Sequence, residues 1–148
     1  MTAKTVAKTP GRYFLDTNIF VYSFDAGNPY KAKQATALIR EAVTTRQGIV
    51  SDQVVQEFFN VALRRFGHPM THADAEQYLG TVFRPLLVVH SSVALSQEAL
   101  AVFHNHRMGW YESLIVASAQ AAECEVLYSE DFKHGHKFGK LRVENPFR

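Results

Sequence analysis

Residues 13–18 read Tyr13-Phe14-Leu15-Asp16-Thr17-Asn18, a short apolar run that ends in three polar residues. The run follows Pro10-Gly11, which is a turn signal, and its length and composition are those of a buried strand. The segment from Thr17 to about Phe24 is predicted to be helical. This stretch therefore predicts a strand that passes directly into a helix, with Asp16 at the junction.

The same succession of strand and helix recurs along the rest of the chain. Further strands are predicted at residues 49–50, 86–89, 126–128 and 141–143, and helices at about 30–45, 52–65, 71–83, 92–105 and 111–123. Alternating strands and helices are typical of α/β proteins in which a mostly parallel sheet is covered on both faces. We therefore expect a three-layer α/β/α sandwich with a mostly parallel central sheet.

The chain has 148 residues, which is the size of one domain. Residues 1–11 are predicted to be a flexible N-terminal tail, and residues 12–148 a single domain. A hydrophobic content of 47% with 20% charged residues argues against a disordered or fibrous protein. No apolar run approaches the roughly 18–20 residues of a membrane span, and the single cysteine, Cys124, fits a reducing compartment. We therefore expect a cytoplasmic protein that does not associate with membranes.

The small net charge of +2 conceals an uneven distribution along the chain. Residues 1–12 carry +3 and residues 133–148 carry +4, whereas residues 13–132 carry −5. This distribution is open to two interpretations. It reflects either chance together with a solvated tail, or an acidic site flanked by basic groups that contact phosphates.

Four acidic residues are predicted to converge at one edge of the sheet. Asp16 and Asp131 follow predicted strands directly, Glu57 lies in the helix after the second strand, and Glu112 begins a strongly apolar helix. Ligand sites in parallel sheets lie beyond the carboxyl ends of the strands. Carboxylates brought together there would repel one another unless a cation neutralised them, and Mg²⁺ or Mn²⁺ prefers such oxygen ligands.

Each of these acids also has an interpretation without chemistry. Asp16 could be a helix N-cap, Glu57 a solvated helix position, Glu112 a partner of the helix dipole and Asp131 an ordinary turn residue. No single position is specific. It is their common placement that favours a functional cleft.

Four segments in order resemble the signature blocks of PIN-domain ribonucleases, particularly the VapC-type toxins of bacterial toxin–antitoxin modules. They are Phe14-Leu15-Asp16-Thr17-Asn18-Ile19-Phe20-Val21-Tyr22, Ser51-Asp52-Gln53-Val54-Val55-Gln56-Glu57-Phe58, Trp110-Tyr111-Glu112-Ser113-Leu114-Ile115-Val116-Ala117 and Ser129-Glu130-Asp131-Phe132. The resemblance covers about residues 12–145, essentially the whole predicted domain.

The resemblance implies an endoribonuclease that cleaves structured RNA, either tRNA or rRNA, by two-metal hydrolysis with Mg²⁺ or Mn²⁺. Its products would be a 5′-phosphate and a 3′-hydroxyl. It also implies a cognate antitoxin as partner and a homodimer. Carried over to this sequence, the catalytic and metal-binding residues would be Asp16, Glu57, Glu112 and Asp131, and the residues that orient them Thr17, Asn18 and Ser129.

Glu112 departs from the pattern, because the family usually carries Asp at this position. Its carboxylate extends one methylene further, which would displace a bound cation or a bridging water. The alternative function is therefore a catalytically weak or inactive binding module with the same fold. A third possibility is a nuclease for RNA maturation that has no antitoxin.

The segment after Asp131 is rich in basic residues, glycine and phenylalanine. This mixture is typical of loops that contact nucleic acid phosphates, although a solvated loop would have a similar composition. The predicted RNA-binding residues are Lys133, His134, His136, Lys137 and Lys140.

Overall fold

The computed structural model describes residues 11–148, so the predicted N-terminal tail lies outside the described residues apart from Gly11. The described elements are β1 (Tyr13–Leu15), α1 (Thr17–Tyr22), α2 (Pro29–Thr45), β2 (Gly48–Ser51), α3 (Asp52–Ala62), α4 (His72–Tyr78), a π-helical turn (Leu79–Phe83), α5 (Arg84–Leu86), β3 (Leu87–Val89), α6 (Val93–His106), α7 (Trp110–Ala121), β4 (Val126–Tyr128), β5 (Lys137–Phe138) and β6 (Leu141–Glu144).

The strands form one sheet in the order β3-β2-β1-β4-β6-β5. All neighbouring pairs are parallel except β5 and β6, which are antiparallel. The predicted α/β class and mostly parallel sheet are confirmed. Because β1 lies between β2 and β4, the residues that follow these three strands meet at one edge of the sheet.

The central strand β1 is buried along its whole length. Phe14 and Leu15 are inaccessible to solvent, and the Tyr13 ring packs edge to face on Tyr128 of β4, with 5.4 Å between ring centroids. Such burial of apolar side chains fixes the position of the residue that follows the strand, because a shift of β1 would expose its apolar side chains.

Helix α2 packs closely on the start of β2. A Cβ atom at Gly48 would lie 2.3 Å from the Ala42 Cβ, so only glycine permits this approach.

An aromatic cluster joins α1 to α3. Phe58 of α3 is fully buried and stacks on Tyr78, with 5.1 Å between ring centroids and an angle of 16° between ring planes. Its edge contacts reach Phe20 of α1 and Phe83 of the π-helical turn. Burial of the Tyr78 hydroxyl raises its pKa to about 12. The cluster holds α1 and α3 side by side, and each of these helices carries residues of the predicted site.

Two helix boundaries differ from the prediction. The helix expected over residues 71–83 ends at Tyr78, continues as the π-helical turn and then forms α5, which includes Pro85 instead of ending before it. Pro85 is the second residue of α5, directly after the π-helical turn, and its fixed φ is compatible with a helical backbone. The helix expected over residues 52–65 ends at Ala62. Among the helices of residues 11–148, none is both long and apolar enough to cross a membrane.

Candidate active site

Asp16 is buried where β1 meets α1, and both of its carboxylate oxygens are hydrogen bonded. Oδ1 accepts the backbone N–H of Thr17 at 2.7 Å, which makes Asp16 the N-cap of α1. Oδ2 accepts the hydroxyl of Ser129 at 2.7 Å. Ser129 follows β4, the parallel neighbour of β1, so the sheet itself brings these two residues together.

The electrostatic environment disfavours the ionised form of Asp16. Its pKa is raised to about 6, mainly because the carboxyl group is buried; the Ser129 hydroxyl and the Thr17 N–H oppose this rise, and the negative charges of Asp131 and Glu57 add to it. A helix cap alone would not bring other carboxylates within electrostatic reach. Asp16 is thus both a cap and a member of an acidic cluster.

Glu57 is half-buried and held by two donors. Its Oε1 accepts the Thr17 hydroxyl at 2.7 Å, and its Oε2 accepts the Gln53 side-chain amide at 3.1 Å. The same Gln53 amide donates to the Tyr111 carbonyl at 3.2 Å, which connects α3 to the start of α7. Glu57 is therefore fixed toward the Asp16 junction and is not a freely solvated helix position. Sequence reasoning missed Gln53, although its spacing of four residues before Glu57 on a helix was a signal.

Asp131 lies on the loop after β4, and its side chain is only partly exposed. Its backbone N–H donates to the Ser129 hydroxyl at 3.0 Å, so one serine joins Asp16 and Asp131. Partial burial raises the pKa of Asp131, and the charges of Glu130, Glu112 and Glu57 raise it further. All four predicted carboxylates are thus electrostatically coupled through Asp16 and Asp131.

Asn18 lies beside this cluster, at the second position of α1. Its amide is close enough to Asp131 to lower the pKa of that carboxylate. Among residues 11–148, neither its Oδ1 nor its Nδ2 finds a hydrogen-bond partner of ordinary geometry, although both atoms are buried. A buried amide with no partner is costly, so Asn18 offers a donor and an acceptor that a ligand can satisfy.

Glu112 is exposed and caps its own helix. Glu112 is the third residue of α7, and its Oε1 accepts the backbone N–H of Gly109 at 3.0 Å. This is close to the alternative considered from the sequence, in which Glu112 serves only the helix terminus. Glu112 nevertheless raises the pKa of Asp131, and both residues line a cavity of about 260 Å³.

The donor chemistry of the site suits a hard divalent cation, because it consists of carboxylate oxygens together with the unpartnered Asn18 amide. The side chains are not arranged as a finished coordination shell: within residues 11–148, no three His, Cys, Asp or Glu side chains are close enough together to hold an ion. In Glu57 and in Glu112, at least one carboxylate oxygen already accepts a hydrogen bond from the protein.

The predicted RNA-binding residues lie in different places. Lys133 and His136 line the cavity that Glu112 and Asp131 also line. His134 accepts the backbone N–H of Asn145 at its Nδ1. The last two lie away from that cavity: Lys137 is exposed on β5, and Lys140, in the turn between β5 and β6, lines a separate cavity with Glu123 and Glu125.

A second ionic group next to Asp131 was not predicted from the sequence. The Glu130 carboxylate accepts hydrogen bonds from the Tyr22 hydroxyl and the Lys31 ammonium group. The Lys31 Nζ also lies 4.4 Å from the centroid of the Tyr22 ring and 5.4 Å from that of Phe147. Partial burial would raise the pKa of Glu130, but its two donors hold it below the usual value. This group fixes the residue before Asp131.

Comparison with known proteins identifies the same fold. A family model for the PIN domain matches residues 13–137. The crystal structure of Mycobacterium tuberculosis VapC20, described as a sarcin–ricin loop cleaving toxin, superposes with a TM-score of 0.60 at 18% identity, covering 80% of this chain and 89% of VapC20. FitAcB from Neisseria gonorrhoeae superposes with a TM-score of 0.58 at 18% identity, covering 91% of this chain and 98% of that chain. No curated protein sequence matches the chain.

Proposed function

Since the chain belongs to the PIN domain family, we propose that it is a metal-dependent endoribonuclease and the toxin of a type II toxin–antitoxin module. The observation that carries the proposal is the state of Asp16. It is a buried carboxylate whose pKa is raised to about 6 by burial and, in part, by Asp131 and Glu57. Perturbed carboxylates gathered at the carboxyl end of a parallel sheet are a recurring property of catalytic sites.

The four carboxylates of Asp16, Glu57, Glu112 and Asp131 would hold Mg²⁺ or Mn²⁺. Their nominal charge of −4 would be neutralised by two divalent ions, which favours two-metal hydrolysis. When bound, such ions lower the pKa of water and compensate the negative charge that develops on the phosphate. For both Glu112 oxygens to bind a cation, the hydrogen bond from the Gly109 N–H to Glu112 would have to break.

The remaining residues of the site position these carboxylates. The Ser129 hydroxyl orients Asp16 by donating a hydrogen bond to it, and it orients the loop of Asp131 by accepting the backbone N–H of that residue. Thr17 orients Glu57, and the Asn18 amide is free to contact the scissile phosphate or a water molecule. Lys133 and His136, on the loop beside the site, would contact the RNA.

The proposed partners follow from the family and from the structural likeness to VapC20 and FitAcB. They are a cognate antitoxin, a second copy of this chain in a homodimer, and a structured RNA, either tRNA or rRNA. An arginine of the antitoxin could pair with the acidic cluster in two parallel hydrogen bonds. The proposed compartment is the cytoplasm.

The proposal is tested by incubating the purified protein with structured RNA and Mg²⁺ or Mn²⁺. We expect cleavage that a chelator abolishes and that Asp16→Asn removes. Asp74→Asn is the matched control, because Asp74 is an exposed acid near the start of α4. Cleavage that persists in Asp16→Asn, or that needs no cation, would refute the proposal.

A second candidate is a weak or inactive binding module, which the capping role of Glu112 favours. If this is correct, Glu112→Asp creates activity that the wild-type protein lacks. If the wild-type protein cleaves and Glu112→Ala abolishes cleavage, the module hypothesis fails. An RNA-maturation nuclease would differ in its genetics, because no adjacent reading frame would encode an antitoxin.

A further inference from the structure

A cavity of about 260 Å³ opens next to the acidic cluster. Its lining includes Glu112 and Asp131, two of the proposed metal-binding residues. His106 at the end of α6, and Lys133 and His136 on the loop after β4, also line it. A group bound in this cavity would therefore lie directly beside a phosphate held at the carboxylates.

The inner walls of the cavity are aromatic. Phe138 is buried at its base, and the rings of His106 and His136 pack on it with centroid distances of 4.9 and 4.5 Å. The two imidazole centroids are 6.4 Å apart, and the Phe132 ring lies edge to face with Phe138 at a centroid distance of 6.3 Å. Both imidazoles are exposed to solvent, so ring surface and ring nitrogens are available to a ligand.

The loop that carries these groups is fixed by backbone hydrogen bonds to β6. Gly135 N–H donates to the Val143 carbonyl, and Val143 N–H donates to the His136 carbonyl, each at 2.9 Å. The neighbouring His134 ring accepts the Asn145 N–H at 3.1 Å. The cavity is thus largely preformed, which lowers the entropic cost of binding.

We propose that this cavity is a subsite for a single unstacked nucleobase of the RNA, adjacent to the scissile phosphate. The inference rests on the proposed ribonuclease function. His106 and His136 supply stacking surface and hydrogen-bonding nitrogens, and Lys133 supplies a positive charge for the phosphate attached to that nucleotide. Proteins that recognise RNA commonly splay out one base and stack it on aromatic or histidine rings.

The size of the cavity fits this occupant. Pockets for drug-sized ligands run from about 300 to 1,000 Å³, and this cavity lies just below that range. It is large enough to hold one planar base.

The test is equilibrium binding of the four nucleoside 5′-monophosphates to the full-length protein, compared with ribose 5-phosphate, which lacks a base. Binding is followed by the NMR signals of the histidine rings. We expect at least one nucleotide to shift the His106 and His136 signals and to bind at least about fivefold more tightly than ribose 5-phosphate, since stacking of one base contributes at least that factor.

Three variants identify the surface. His106→Ala is expected to remove the preference for a base, and His106→Phe to retain it, because a phenyl ring preserves stacking. His104→Ala is the matched control, since His104 is exposed on the same helix and lies outside the cavity. The subsite would be overturned if ribose 5-phosphate bound as tightly as the nucleotides, or if the NMR signals of neither histidine ring shifted. It would also be overturned if His104→Ala had the same effect as His106→Ala.

This outcome is separable from the failure of the proposed function. The binding measurement needs neither a metal ion nor cleavage, so a protein that cuts no RNA can still show the base preference. Conversely, the protein could prove to be a metal-dependent nuclease whose nucleotide binding does not change in His106→Ala. In that case the proposed function would stand and only the subsite would be refuted.

Discussion

Thr17 donates its side-chain hydroxyl to Glu57 Oε1 over 2.7 Å, and this bond joins the first residue of α1 to the middle of α3. The backbone N–H of the same residue donates to Asp16. One threonine therefore sets the position of two carboxylates that come from different elements. It follows that the geometry of the acidic cluster depends on a residue that need not touch the substrate.

Replacing Thr17 by valine tests this relationship. Thr17→Val keeps the shape and the backbone N–H but removes the hydroxyl, so Glu57 loses one donor. We expect metal-dependent cleavage to fall sharply, while the free energy of unfolding drops by only about 1 kcal/mol. Cleavage rates and urea unfolding measure the two effects. Thr17→Ser should restore activity, and full activity in Thr17→Val would contradict the assigned role.

The raised pKa of Asp16 predicts a specific pH dependence in metal-free protein. A carboxyl whose pKa is 3.8 in the unfolded chain and about 6 in the folded protein binds more protons when folded between these values. Its contribution to stability is therefore fully present below about pH 4 and is lost as the pH rises through 6.

Asp16→Asn isolates this contribution, because its amide oxygen can still accept the Thr17 N–H and its amide nitrogen can face Ser129. We expect the variant to be more stable than the wild-type protein by about 3 kcal/mol at pH 7, with the difference disappearing near pH 4. Chemical unfolding in the presence of a chelator measures it. A difference that does not change with pH would show that the folded-state pKa of Asp16 is not raised.

Ser129→Ala is expected to destabilise the protein. It leaves Asp16 Oδ2 buried without a donor, at a cost of about 1–3 kcal/mol, and it raises the pKa of Asp16 further. Ser118→Ala is the matched control, since Ser118 is also buried but its hydroxyl has no partner among the described residues. Thermal unfolding of the two variants checks the difference, and equal losses would contradict the role given to Ser129.

Much of the site was predictable because it depends on local patterns. The apolar run before Asp16 and the apolar run before Ser129 each predict a strand, and parallel strands end at the same edge of a sheet. That rule brings Asp16 and Asp131 together from the sequence alone. Glu57 was likewise placed in the helix that follows the second strand, and the structure holds this residue against Thr17.

Other features depend on contacts that no local pattern records. Lys31 and Glu130 are 99 residues apart, and only the packing of α2 beside the loop after β4 makes them a pair. Strand β5 has two residues, too few to show an alternation. Lys140 shares a basic segment with Lys133. However, the antiparallel turn from β5 to β6 places Lys140 at the end of the strands that is opposite to the acidic cluster.

The pairing of Lys31 with Glu130 yields a further prediction. Lys31→Met leaves the Glu130 charge unpaired beside Asp131, which would raise the pKa of Asp131 and displace its loop. We expect weaker Mn²⁺ binding, measured by calorimetry, with the fold retained in circular dichroism. Lys33→Met is the control, because Lys33 is exposed on the same helix. If both variants bind Mn²⁺ like the wild-type protein, the pair has no part in positioning Asp131.

The most direct measurement maps the ends of total cellular RNA after the wild-type protein and its Asp16→Asn variant are produced in separate cultures. Metal-dependent hydrolysis at the acidic cluster predicts new 5′-phosphate and 3′-hydroxyl ends at one or a few positions in tRNA or rRNA, present only with the wild-type protein. The same ends in the Asp16→Asn culture, or new ends that carry 5′-hydroxyl groups and cyclic phosphates, would contradict it.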